Sequence, residues 1–250
     1  MNWRFLLPNL ATTFSFELGL ASVFASILGD IEWAAWMILW AVLLDKLDGT
    51  LARLVRGTSR FGAEFDSFAD FMAFGVAPAV LVFQYLRASG LPDEGGAFGV
   101  TIAGCALYAL FNAIRLVRFN LTAACTPSRW FAGVPTTLCG ALVSSGILLC
   151  LRYGLSDGLR PWLPALLSLL GLGMVSRWPI PKLVPRKNLA FNLFQMANIL
   201  GAYACGILRR CPEYLMGLAL LYLSVGLAAG LILSPAGSVA PAREAEESNG

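Results

Sequence analysis

Four aspartates form two closely spaced pairs in a strongly apolar part of the sequence. Asp45 and Asp48 are three residues apart, and Asp66 and Asp70 are four residues apart. On α-helices these spacings place both members of a pair on one face. An aspartate at membrane depth costs on the order of 2.5–3.5 kcal/mol on insertion scales. Four of them in one segment therefore predict a partner that neutralises their charge.

Hard divalent cations suit a cluster of carboxylate oxygens. Mg²⁺ and Mn²⁺ prefer oxygen ligands, whereas Zn²⁺ sites are built mainly from nitrogen and sulfur. Four carboxylates can hold two ions, and ion pairs serve phosphoryl transfer well. The alternative is a solvated helix end with ordinary Asp–Arg neutralisation, which suits two aspartates better than four. We predict a Mg²⁺ or Mn²⁺ site, with two ions expected, at Asp45, Asp48, Asp66 and Asp70.

Small and basic residues lie between the two acidic pairs. Gly49 and Ala52 are about one helical turn apart and leave a groove in which a ligand can approach the backbone. Arg53 follows directly, where its guanidinium can pair with a phosphate oxygen. The segment therefore indicates a phosphate-bearing ligand beside the metal site.

The elements that position these residues are membrane helices. The chain has 250 residues, of which 58% are hydrophobic and 13% charged, a balance far from that of soluble domains. We predict an all-α, polytopic membrane helical bundle of about eight transmembrane helices. The expected spans are 8–28, 32–54, 66–87, 97–119, 132–152, 162–176, 190–207 and 213–233. This membrane domain, residues 1–234, is expected to precede a disordered polar tail at 235–250.

The distribution of lysine and arginine predicts the orientation of the bundle. With the N-terminus inside, most of the 18 basic residues fall in cytoplasmic segments. The arginines expected in outer segments are Arg87, Arg152, Arg160, Arg209 and Arg210. Both termini and the acidic segment are therefore predicted at the cytoplasmic face of the inner membrane. The apolar run before Asp45 spans about 18 Å of helix, which places that aspartate just below the surface.

Composition excludes several classes of function. The net charge of +3 comes without a basic stripe, so no nucleic-acid partner is expected. The chain has no histidine, which excludes histidine catalysis and histidine metal ligands. The six cysteines show no CxxC spacing and are interpreted as small packing residues.

A second polar group follows the fourth span. Arg115 and Arg118 are three residues apart and precede Asn120. Paired arginines bind a carboxylate well, although ordinary positive-inside charge is the alternative. The basic loop at 177–187 is interpreted as a contact with anionic lipid heads, with direct contact to a donor phosphate or to serine as the alternative. The role of Glu17, inside the first span, is left open between packing and a polar cavity.

The acidic segment resembles a known family. Its residues follow D-x2-D-G-x2-A-R-x8-G-x3-D-x3-D, with Gly62 as the glycine before the second acidic pair. This pattern resembles the CDP-alcohol phosphotransferase signature at every position. Four further stretches resemble the phosphatidylserine synthase branch: FGAEFDSFADFMAFGVAPA, AIRLVRFN at 113–120, FAGVPTT at 131–137 and GMVSRWPIPK at 173–182. The stretch LPNLATTFSFELG at 7–19 resembles the pattern of the first span. The resemblance covers roughly residues 7–190; Ser15 and the pair 136–137 depart from the usual pattern.

The resemblance implies a transferase that moves a phosphatidyl group from CDP-diacylglycerol to L-serine and releases CMP. It implies that the four aspartates hold the ions at the donor pyrophosphate and that Asp70 is also the general base. The donor site would be lined by Gly49, Ala52, Arg53 and Gly62. The acceptor site would be lined by Arg115, Arg118 and Asn120. A homodimer among membrane lipids is the expected assembly.

Two alternatives stay open at this point. The same transfer could use glycerol phosphate, an inositol compound or choline as acceptor, although the paired arginines favour a carboxylate-bearing one. A cation transporter could use the aspartates as an ion pathway. The acids lie at one face, however, and the sequence has no inverted repeat of the kind that many transporters show.

Overall fold

A computed structural model describes residues 3–55, 60–92, 94–123, 130–154, 156–181 and 189–233. Apolar runs form helices here because a chain in lipid must satisfy its backbone hydrogen bonds internally. The helices are α1 (Trp3–Ile27), α2 (Ile31–Val55), α3 (Arg60–Asp70), α4 (Ala77–Ala88), α5 (Gly96–Ala123), α6 (Thr136–Tyr153), α7 (Ser156–Leu159), α8 (Leu163–Val175), α9 (Leu189–Leu208) and α10 (Pro212–Leu233). The predicted helical membrane bundle is confirmed. The predicted polar tail, 235–250, lies outside the described residues.

Seven of the eight predicted segments coincide with one helix or one continuous helical run. The prediction for 132–152 begins four residues too early, because Ala132 lies in a short strand and α6 begins at Thr136. Among the described residues, five helices are long and apolar enough to cross a membrane: Asn9–Ile27, Phe61–Ala88, Gly96–Leu121, Thr136–Tyr153 and Pro212–Ile232. Two shorter apolar helices are Arg160–Val175 and Asn192–Leu208. The total of eight spans and the cytoplasmic termini stay predictions.

A π-helical turn, Phe71–Val76, joins α3 to α4 without a break. Such turns insert an extra residue into a helix and often lie at functional sites. A Cβ on Gly75 would lie 3.0 Å from Cγ of Asn112, so glycine permits the close approach of α5. The Tyr108 hydroxyl on α5 donates to the Phe74 carbonyl at 2.9 Å. These contacts lock the turn against α5 immediately after the last aspartate.

Helix α9 anchors the part of α2 that precedes the acids. The indole Nε1 of Trp40 donates to the Gly206 carbonyl at 2.8 Å. The Tyr203 hydroxyl donates to the Leu43 carbonyl at 2.7 Å. Both bonds act near the end of the apolar run, so they hold α2 in place two residues before Asp45.

A two-stranded ribbon, which the sequence did not predict, joins two distant loops. Strand β1 (Trp130–Ala132) pairs antiparallel with β2 (Pro179–Pro181). Gly133 follows β1 with φ of +83°, and its amide donates to the Trp178 carbonyl at 2.9 Å. A side chain at this glycine would collide with the Met174 carbonyl oxygen. The ribbon therefore needs glycine at this position.

Candidate active site

Three of the four predicted aspartates converge at one end of the bundle. Asp45 on α2 and Asp66 and Asp70 on α3 each offer a carboxylate oxygen, and these oxygens lie within 4.8 Å of one another. All three side chains are half-buried. Like charges at this separation repel by about 3 kcal/mol per pair at an effective dielectric constant of about 20. The three acids therefore fit a shared cation, as the sequence predicted.

Among the described residues, two basic side chains interact with these acids. The Lys46 ammonium lies 4.0 Å from Asp45, but its side chain is 61% exposed, so solvent weakens the pair. The Arg115 guanidinium is close enough to interact electrostatically with both Asp70 and Asp45. All-oxygen donors of this kind suit a hard divalent ion.

Most of the other residues predicted to bind the metal ions or the donor have side chains that the structure does not describe. Helix α2 continues to Val55 and includes positions 48, 49, 52 and 53, but their side chains lie outside the described part of the structure. Gly62 lies in the first turn of α3, four residues before Asp66. The metal role of Asp48 and the donor roles of Gly49, Ala52, Arg53 and Gly62 stay predictions.

Arg115 is a buried basic residue that interacts electrostatically with Asp70 and Asp45. Its side chain on α5 is 7% exposed, and one terminal nitrogen donates to the Thr136 hydroxyl at 3.4 Å. Its Nε has no hydrogen-bond partner among the described residues. Burial of a guanidinium whose N–H makes no hydrogen bond costs free energy, unless a ligand accepts that hydrogen bond. The position next to Asp70 therefore suits an anionic group of a substrate.

Arg118 binds backbone carbonyls in this structure. Its guanidinium donates to the carbonyls of Val175 at 2.6 Å, Ala132 at 3.0 Å and Ser176 at 3.0 Å. These groups belong to the end of α8 and to the ribbon. Arg118 thus ties together three stretches that the family resemblance singled out: 113–120, 131–137 and 173–182. Its predicted contact with the acceptor stays a prediction.

Asn120 links α5 to α3 next to the acids. Its amide nitrogen donates to the Ser67 hydroxyl at 2.9 Å and to Glu64 Oε2 at 3.3 Å. Ser67 in turn donates to the Ala63 carbonyl at 3.1 Å. Because Ser67 directly follows Asp66, this contact holds the acidic face of α3 against α5.

Asn112 is a polar residue that the sequence reasoning did not single out. Its side chain is fully buried one helical turn before Arg115, and neither amide atom has a partner among the described residues. It contacts the π-helical turn at Gly75. An asparagine inside an apolar span was the available signal, since such residues usually serve function or packing between helices.

Acids from two helices converge near a buried arginine in an apolar helical bundle, an arrangement typical of integral-membrane enzymes that handle phosphate-bearing substrates. Residues 5–173 match the family model described as CDP-alcohol phosphatidyltransferase, and the chain belongs to this family of transferases. The residue pattern at 45–70 had indicated the same family.

Several relatives carry one activity in their names. The chain is 37% identical over 195 residues to a CDP-diacylglycerol–serine O-phosphatidyltransferase of Helicobacter pylori, covering 77% of this chain and 78% of that protein. A Saccharomyces cerevisiae protein of the same name is 38% identical over 132 residues, covering 50% of this chain and 44% of its own length. A Bacillus subtilis namesake is 31% identical over 134 residues, covering 54% and 71%.

Proposed function

We propose that this protein transfers the phosphatidyl group of CDP-diacylglycerol to L-serine, giving phosphatidylserine and CMP in phospholipid biosynthesis. The relatives named above support this activity. The observation that carries the proposal is the convergence of Asp45, Asp66 and Asp70 beside the buried Arg115. Acids for a metal-bound pyrophosphate and a cation for a carboxylate are what this reaction requires.

The donor half of the site is proposed to lie between α2 and α3. Asp45, Asp66 and Asp70, together with Asp48, would hold one or two Mg²⁺ or Mn²⁺ ions. When bound, such ions neutralise the pyrophosphate and stabilise the charge that develops as CMP leaves. The residues proposed to line the cytidine diphosphate are Gly49, Ala52, Arg53 and Gly62.

The chemical step is a displacement at the lipid-linked phosphorus. The serine hydroxyl oxygen forms a new bond to this phosphorus, and the bond to the bridging oxygen of the pyrophosphate breaks. CMP departs with the electron pair of that bond, and Asp70 accepts the proton of the serine hydroxyl. A metal-binding carboxylate is a weak base, so its placement beside the hydroxyl must supply much of the rate.

The acceptor half is proposed to lie on α5. Arg115, with its unused Nε, would bind the serine carboxylate next to Asp70. Asn120, through Ser67, would keep Asp66 in register with α5. We propose that Arg118 acts on the acceptor side partly by fixing the ribbon, since its guanidinium donates to the Ala132 carbonyl in β1 and to the Val175 carbonyl at the end of α8.

The proposed setting is the inner membrane, with the active site facing the cytoplasm, where CDP-linked donors and serine are available. The excess of Lys and Arg in the corresponding segments supports this orientation. A homodimer is proposed as the assembly. Both points can be tested by cysteine labelling from either side of the membrane and by light scattering in detergent.

Purified full-length protein, CDP-diacylglycerol and Mg²⁺ or Mn²⁺ provide the test. CMP release would be measured with serine, glycerol phosphate, an inositol compound and choline as alternative acceptors. The proposal expects release with serine and little with the others. Release with a different acceptor alone would contradict serine as substrate, and no release with any acceptor would contradict the transferase activity as proposed.

A further inference from the structure

A second charged site lies at the opposite end of α2 from the aspartates. A cavity of about 590 Å³ is formed by the start of α2, the end of α6 and the turn between α9 and α10. Its lining includes Glu32, which is 13 residues before Asp45, or about 20 Å along the helix. The cavity is therefore separate from the proposed active site. Its volume is typical of small-ligand sites.

Three arginines line this cavity against one carboxylate. Arg152, Arg209 and Arg210 are in the wall, and Glu32 is the acid among the lining residues. The positive-inside rule leaves few arginines at this end of the bundle. The grouping of three of them around one cavity therefore indicates a role for the cavity. Arg87, which lies at the same end, does not line it.

Two of the arginines are held in place by neighbouring groups. Arg152 pairs with Glu213 at 3.1 Å, and the Tyr153 hydroxyl donates to the same carboxylate at 2.7 Å. The Arg209 guanidinium lies 4.2 Å from the centre of the Trp33 ring, a cation–π contact that fixes its plane. The cation–π contact favours one orientation of Arg209, which reduces the entropy lost on binding an anion. The Arg152–Glu213 pair, with side chains 53% and 38% exposed, contributes less to this ordering.

The backbone of the α9–α10 turn is also unusual. Arg209 and Cys211 have φ of +50° and +56°, a conformation that residues other than glycine rarely adopt. Both line the cavity and flank Arg210, which forms no ion pair with any described residue. Strained backbone of this kind is often retained at binding sites.

The remaining lining suits a ligand with an apolar part. Trp36 is 1% exposed, and its indole N–H has no partner in the described part of the chain. Leu148 and Leu151 form an apolar wall beside the arginines, and Leu151 is 44% exposed. Arginine clusters bind phosphate oxygens in forked pairs.

We propose that this cavity binds the phosphate headgroup of an anionic phospholipid in the membrane leaflet opposite to the active site. The headgroup phosphate lies among Arg152, Arg209 and Arg210, and the start of the acyl region lies against Leu148 and Leu151. The binding site is independent of the proposed catalysis, because none of these residues belongs to the acidic cluster.

Native mass spectrometry of the full-length protein in neutral detergent tests this site. The probes are phosphatidylglycerol, phosphatidylcholine and inorganic phosphate. The variant is Arg209→Gln/Arg210→Gln, and the matched control is Arg87→Gln. We expect the wild type and the control to bind phosphatidylglycerol equally, the double variant to bind it at least tenfold more weakly, and phosphatidylcholine to bind poorly to all three.

Equal binding of phosphatidylglycerol by the double variant and the wild type would overturn the site. Competition by inorganic phosphate at the same concentrations as the lipid would overturn the lipid as ligand in favour of a free anion. If the double variant does not give a monodisperse gel-filtration peak, the single variant Arg210→Glu replaces it in the lipid-binding measurement. It keeps the Arg209–Trp33 contact, and unchanged lipid binding there would equally contradict the proposal.

Discussion

The clusters at the two ends of α2 carry opposite charge, and their charges are neutralised by different partners. At one end, Asp45 meets Asp66 and Asp70, and the basic groups of the described residues that interact with them are the exposed Lys46 and the buried Arg115. At the other end, Glu213 forms an ion pair with Arg152, and the Trp33 ring contacts the guanidinium of Arg209. Three carboxylates within 4.8 Å of one another repel strongly unless a cation lies among them. The acidic end therefore has the stronger requirement for a bound ion.

Removal of divalent ions should produce the largest difference in behaviour between the two ends of α2. With EDTA present, CMP release should fall to background, because repulsion among the three acids leaves no site for the donor pyrophosphate. Addition of Mg²⁺ or Mn²⁺ should restore it. Phosphatidylglycerol binding at the basic end should be unchanged by EDTA in the native mass spectrum. Full turnover after exhaustive chelation would contradict the metal role of the aspartates.

Asp70→Asn should be the most damaging single substitution. An amide cannot take the serine proton, and general-base removal typically costs on the order of 10²–10⁴-fold in rate. Steady-state CMP release checks this, and isothermal titration with CDP should show a smaller effect on binding. Asp30→Asn is the matched control, since Asp30 lies exposed before α2 at the opposite end. Near-full activity of Asp70→Asn would exclude Asp70 as the base.

Arg115→Gln should change the response to serine more than the response to the donor. Loss of one charged hydrogen bond costs about 1.5–3 kcal/mol, so KM for serine should rise about 10- to 100-fold. KM for CDP-diacylglycerol should change much less. Arg152→Gln, at the basic end, should leave both constants unchanged. An equal rise in both KM values would show that Arg115 acts on the fold or the donor and does not select the acceptor.

Asn120→Ala should have the smallest effect of this series. It removes the neutral bond to Ser67, worth about 0.5–1.5 kcal/mol, and a 3.3 Å bond to the exposed Glu64, which solvent weakens, so kcat/KM should fall about 2- to 10-fold. Ser67→Ala should give a similar loss, and the double variant should cost little more than either single one because both remove the same contact. Fully additive losses would argue against a shared positioning role.

The sequence predicted what depends on local pattern and failed where distant segments meet. Apolar runs predicted the helices, and the spacing of Asp66 and Asp70 predicted their shared face. The π-helical turn was not predictable, since it depends on the approach of α5 to Gly75. The ribbon was missed because its strands have three residues each and β2 begins and ends with proline.

The polar residues of α5 show the same limit. Arg115 and Arg118 look equivalent in the sequence, three residues apart on one helix. In the structure, Arg118 meets carbonyls contributed by residues far along the chain, whereas Arg115 is buried beside the acids. Which arginine keeps an unused N–H depends on tertiary contacts that no spacing rule contains.

Product identification with isotope-labelled serine tests the central claim most directly. The purified protein would be incubated with CDP-diacylglycerol, Mn²⁺ and ¹⁵N-serine, and the lipids analysed by mass spectrometry beside the Asp70→Asn variant. Our account predicts ¹⁵N-phosphatidylserine in amounts equal to the CMP released, and almost none from the variant. CMP release without label in the lipid, or equal labelling by the variant, would contradict it.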